Sequence, residues 1–187
     1  MQANFKPLPL VHTLPSGTTF CQPTPKVAPR TRPHDPALSV MTDLRQVAAV
    51  TINPQASIDE ALEAMILSRV RLLFVTGTEQ IVEGLITATD LQGEAPLRFM
   101  HQYGVTRKQV LVRDIMTPLV AIDAMHIHDI ERAQIGDIIA TLKQVGRQHA
   151  LVVDYTAEGQ RLVIRGIFSL SQIARQMDIP IELPVAA

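Results

Sequence analysis

Gly84-Leu85-Ile86-Thr87-Ala88-Thr89-Asp90 runs from a glycine through two large apolar residues into hydroxyl side chains and a carboxylate. Leu85 and Ile86 suit a buried strand, while Thr87 followed three residues later by Asp90 is the side-chain pattern that opens a helix. The chain therefore passes from strand to helix at this point. The same form returns as Gly166-Ile167-Phe168-Ser169-Leu170-Ser171-Gln172. Further out, Val40-Met41-Thr42 recurs as Ile115-Met116-Thr117. Two motifs recurring in the same order at similar spacing mark an internal repeat.

Each copy reads β-α-β-β-α. In the first, Ala49-Val50-Thr51-Ile52 is a short strand stopped at Asn53-Pro54. Ser57 caps a helix with Glu60 as its capping-box partner, and Ile58, Ala61, Leu62, Met65 and Ile66 share one face. Leu72–Val75 and Gly84–Thr87 are strands around the turn at Gly77, and a second helix begins at Thr89-Asp90-Leu91. In the second copy the corresponding first strand is read as Leu119-Val120-Ala121-Ile122. A helix from Ile135 to Val145 follows, then a hairpin of Ala150–Val153 and Leu162–Phe168, then a helix ending near Met177. The fold class is α/β (α+β), with two tandem repeats packed about a pseudo-twofold axis. Either half alone is marginally small for a stable core, which is the physical reason to pair them. The expected divisions are a tail over 1–38, a first repeat over 39–91, a linker over 92–112 with a short helix at Leu97–Tyr103, a second repeat over 113–178, and a tail over 179–187.

The bulk properties narrow the function without naming it. The chain has 187 residues, 47% of them hydrophobic, and a net charge of -1, so no global field draws it to nucleic acid or an anionic surface. Eight of the thirteen prolines fall in residues 1–38, which makes this stretch extended or irregular. Its cations Lys6, Lys26, Arg30 and Arg32 offer a contact for an acidic partner; nucleic-acid binding through them is the weaker reading. The single cysteine, Cys21, cannot form an internal disulfide, and no run of apolar residues is long enough to span a membrane, so a soluble cytoplasmic protein is expected.

The Gly-x-x-Thr-x-x-Asp pattern of Gly84–Asp90, and Asp114-Ile115-Met116-Thr117-Pro118 at the entrance to the second copy, resemble the motifs of cystathionine-beta-synthase-type (CBS) repeats over about residues 39–177. The resemblance implies a tandem pair forming one module, often called a Bateman module, that commonly dimerises into a disc and binds adenosine-containing ligands between its repeats. It implies a regulatory sensor acting on a separate effector protein, with no catalytic residues, no metal and no required cofactor; AMP, ADP, ATP or S-adenosylmethionine is the ligand class. A ligand-independent dimer scaffold is the alternative.

Independently of the family, a carboxylate at a strand end accepts both hydroxyls of a ribose, and a nearby hydroxyl donates to a phosphate. Asp90 and Thr87 have those roles, Thr89 adds a phosphate contact, and Val50, Thr51, Ile52 and Ile86 hold the adenine. The competing reading is that Thr87 and Asp90 only cap a helix. In the second copy, Ser169 and Ser171 keep the hydroxyls, but Gln172 stands where the carboxylate belongs and Phe168 either narrows that cleft or stacks on a base. One competent cleft, or two unequal ones, is expected. Arg69 and Arg71 precede the middle strand of the first copy, and Arg147 and His149 lie similarly in the second; the resemblance implies that basic residues near this position, Arg71 and His149 among them, approach ligand phosphates, and a solvated helix end is the other reading. His126, His128 and Asp129 have no evident third metal partner and are read as a solvated loop.

Overall fold

A computed structural model describes residues 30–77, 81–156 and 161–178. The expectations for Lys6, Cys21, Lys26 and the C-terminal tail fall outside the described residues. The first half contains β1 (Thr42–Asp43), β2 (Thr51–Ile52), α1 (Ile58–Ser68), β3 (Leu72–Thr76), β4 (Val82–Thr87) and α2 (Ala88–Gln92). Two helices, α3 (Ala95–Tyr103) and α4 (Val112–Ile115), lead to the second half. That half holds β5 (Thr117–Pro118), β6 (Ala124–His126), α5 (Ile127–Ile130), α6 (Ile135–Gln144), β7 (His149–Tyr155), β8 (Leu162–Ser169) and α7 (Leu170–Met177).

Two four-stranded sheets result, ordered β2-β3-β4-β5 and β1-β8-β7-β6. Each therefore takes its edge strand from the other half. β1 pairs antiparallel with β8, Thr42 opposite Ile167 and Asp43 opposite Gly166; β5 pairs with β4, Thr117 opposite Leu85 and Pro118 opposite Gly84. The two registers are equivalent, and the pseudo-twofold relation is visible in them. The residues before each exchanged strand follow the same rule. Ala37 N–H donates to Ala133 and Ile135 N–H to Asp35, while Val112 N–H donates to Ala56 and Ile58 N–H to Val110. Residues 30–38, at the end of the expected tail, thus dock on the second half, where Ala37 and Val40 are fully buried. Proline at 33 and 36 does not oppose this, because the segment is a turn followed by a 3-10 helix over Ala37–Val40 rather than a central strand.

Three apolar clusters hold the molecule together. One lies under α6 and α7 around Ile138, Leu142, Phe168 and Ile173, and one under α1 and α2 around Ile58, Leu73, Ile86 and Leu91. The third joins the sheets through Leu72, Phe74, Leu85 and Leu151, so the halves share a core.

One expected element is corrected. Leu119–Ala121 is a 3-10 turn, and the strand is Ala124–His126, parallel to β7. By ladder position Ala124 answers to Thr51, since they face Leu151 and Phe74, the equivalent residues of the two middle strands. Val120 is 96% exposed, so the apolar run did not signal burial. His126 ends β6 and its Nδ1 accepts from the His128 N–H, 3.4 Å away, rather than sitting in a loop.

Candidate functional site

Where β4 gives way to α2, Thr87 adopts extended backbone and its hydroxyl accepts from Asp90 N–H (3.3 Å). Asp90 Oδ2 in turn accepts from the N–H and the Oγ1–H of Thr87, both at 2.7 Å. This is a complete capping box, so the helix-start reading of these residues is realised in full. It engages one carboxylate oxygen; among the described residues Oδ1 has no hydrogen-bond partner. Both residues are half-buried and, with Thr89 and Leu85, line one wall of a cleft of about 450 Å³ between the halves.

The exchange of edge strands decides what stands opposite. Thr117 of β5 and the segment Ala121-Ile122-Asp123 form a second wall, and Val145-Gly146-Arg147-Gln148-His149 with Leu151 forms a third. Gly146 takes a left-handed φ of +65° after the end of α6, which lets the chain turn back into β7 at the cleft. Burial pushes His149 down to about 4, with the nearby Arg71 guanidinium adding to the effect, so its imidazole is neutral at physiological pH.

The sequence-predicted residues divide accordingly. Thr87, Thr89, Asp90 and His149 meet in this cleft, and Arg71 stands close enough to His149 to act on it electrostatically. Val50, Thr51 and Ile52 do not line it; of their counterparts by ladder position, Asp123, Ala124 and Met125, only Asp123 does. Ile86 is fully buried in the first core and reaches no cleft, because alternate residues of β4 point to opposite faces. Arg147, named from the sequence beside His149, also lines the cleft, whereas sequence reasoning missed Thr117 and Asp123 as companions of Asp90. For Thr117 the signal is the Asp114–Pro118 motif, which by itself marks only the entrance to the second repeat.

A second recess repeats the arrangement with different contacts. Thr42, Asp43, Gln46, Arg165 and Gln172 line it. Gln172 accepts from Thr42 Oγ1 at 3.2 Å, and Arg165 pairs with Asp43 inside the recess, holding the Asp43 carboxyl below its usual range through that hydrogen bond and one from Arg45 N–H. Ser169 makes no capping bond; its hydroxyl meets that of Ser171 at 3.0 Å. Phe168 is fully buried in the second core and lines neither cleft, so it neither narrows one nor presents a ring to a base.

Comparison with protein-family models matches residues 38–95 to the CBS domain. The chain has the fold of CBS pairs. A conserved protein of uncharacterised function from Pyrococcus horikoshii is 22% identical with a TM-score of 0.56, covering 81% of this chain and 98% of its own. CBSX2 of Arabidopsis thaliana, solved in complex with AMP, is 21% identical with a TM-score of 0.51, covering 75% and 94%. A CBS-domain protein from Agrobacterium tumefaciens is 19% identical with a TM-score of 0.51, covering 71% and 88%. A search of curated proteins returned no match. Among the described residues, no helix is long and apolar enough to cross a membrane.

Proposed function

We propose that this CBS pair is a cytoplasmic regulatory module that binds an adenosyl ligand, of the adenine-nucleotide or S-adenosylmethionine class, in its first cleft and passes the signal to a separate effector protein. The observation that carries the reading is the convergence of Thr87, Thr89 and Asp90 on an open cleft walled by the other half. Asp90 caps its helix through Oδ2 and keeps Oδ1 for a ribose diol, so the two roles weighed for it are compatible. Thr117 and the segment Ala121–Asp123 line the same cleft, whose volume suits a nucleoside. The AMP bound to CBSX2 supports the ligand class. Because each wall belongs to a different half, ligand affinity that differs between two arrangements of the halves suffices for a switch and needs no catalysis.

The test separates capping from binding. Asp90→Asn preserves a side chain that caps well but loses the charge that accepts a diol. Isothermal titration with AMP should show binding to the parent chain and at least about tenfold weaker binding to Asp90→Asn, with melting temperatures within a few degrees. Unchanged affinity in the variant would remove Asp90 from the site. The alternative, a ligand-independent dimer scaffold, draws on Ile66 and Leu67, which are 66% and 83% exposed at the end of α1. In that case light scattering finds a dimer while none of the adenosyl compounds shifts the melting temperature.

A further inference from the structure

The charges around the first cleft are nearly balanced, which bears on the ligand it takes. Its carboxylates are Asp90 and Asp123, and Arg147 is the cation among the described residues that line it. His149 is neutral near pH 7, and Arg71, which acts on it electrostatically, does not line the cleft. Among the lining residues one guanidinium therefore faces two carboxylates, leaving no surplus positive charge for a polyanion. The ten-residue helix α6 also ends at this wall, with Val145–Gln148 following it into the cleft, so the negative end of its dipole points toward any ligand.

Resting on the adenosyl-binding reading above, we infer that the first cleft admits adenosyl ligands whose 5′ group is neutral or carries one phosphate and rejects di- and triphosphates, with Asp123 setting that limit. A single phosphate can be met by Arg147. A second and third add negative charge where Asp123 and the α6 carbonyl end already repel it. Asp123 and Arg147 are both exposed at the cleft mouth, so this discrimination is screened by salt.

Calorimetric titration of the full chain with adenosine, AMP and ATP, in EDTA to keep the phosphates free of divalent cations, tests the inference. At low ionic strength AMP should bind about tenfold or more tightly than ATP, and the ratio should shrink at roughly 0.5 M salt. Asp123→Asn should improve ATP binding by about fivefold more than it improves AMP binding. Equal affinity for AMP and ATP in the parent chain, or an unchanged ratio in Asp123→Asn, overturns the charge limit while leaving the adenosyl site standing. No binding of any of the three at millimolar concentration overturns both. Circular dichroism on Asp123→Asn shows whether the exposed substitution leaves the fold intact, so a loss of binding is not mistaken for misfolding.

Discussion

Asp90 and Gln172 occupy corresponding places in the two halves, and the difference of one functional group separates their environments. A carboxylate closes the capping box and retains an acceptor in an open cleft; the amide turns to Thr42 and leaves Ser169 without a capping partner. His149 is the other residue whose chemistry is set by position. Its folded-state value lies near 4 against 6.5 for an ordinary histidine, because burial penalises the imidazolium. As pH falls below 6.5 the unfolded chain takes up a proton that the folded chain refuses until about pH 4, so stability drops with falling pH across that window. His149→Gln should flatten that part of the melting-temperature profile, by an amount worth up to about 2 kcal/mol. A profile of unchanged slope would show that another group governs acid stability.

At the scale of elements, the glycine that begins each strand-to-helix motif is required by the exchanged strand. A Cβ on Gly84 would stand 2.4 Å from the Thr117 carbonyl oxygen, whereas one on Gly166 would first meet the Met41 sulfur at 2.6 Å and then Thr42 O at 3.0 Å. A methionine side chain can swing aside more readily than a strand backbone. Gly84→Ala should therefore cost more in chemical denaturation than Gly166→Ala, roughly 3 kcal/mol against 1. Equal costs would mean that β5 yields as easily as a side chain. α1 shows the other kind of local control. Ser57 Oγ accepts from Glu60 N–H at 3.2 Å, and Glu60 returns the bond to Ser57 N–H at 2.7 Å. Ser57→Ala should cost about 1 kcal/mol.

For the whole molecule, the reciprocal exchange of β1 and β5 means that neither half closes its own sheet or core. Ala37 and Val40 are built into the second half although they precede the first. Calorimetric unfolding should accordingly give one transition, not two. A chain beginning at residue 30 should keep it, while one beginning at residue 44 should lose the second half's packing, seen as loss of hydrogen-exchange protection in β7 and β8. Retained protection would make the docked segment dispensable. The second recess belongs to the same scale, because Asp43 and Arg165 come from opposite halves and their ion pair occupies the polar groups there: titration with AMP should saturate at one ligand per chain.

Local rules made much of this architecture legible in the residues. Serine or threonine followed three residues later by a carboxylate placed the starts of α1 and α2, the 3.6-residue apolar period placed α1 and α6, and the repeated Gly-x-x-Thr and Gly-x-x-Ser motifs showed two halves. These depend on contacts between near neighbours, which the order of residues specifies directly. The first strand of the second half was misplaced because Leu119–Ile122 and Ala124–His126 both satisfy a short-strand pattern, and only pairing with β7 selects between them. The composition of the site was decided in the same way. Asp90 could be picked out from its motif, but Thr117, Asp123 and Arg147 come from the other half, and only strand exchange and the packing of the two halves set them beside it.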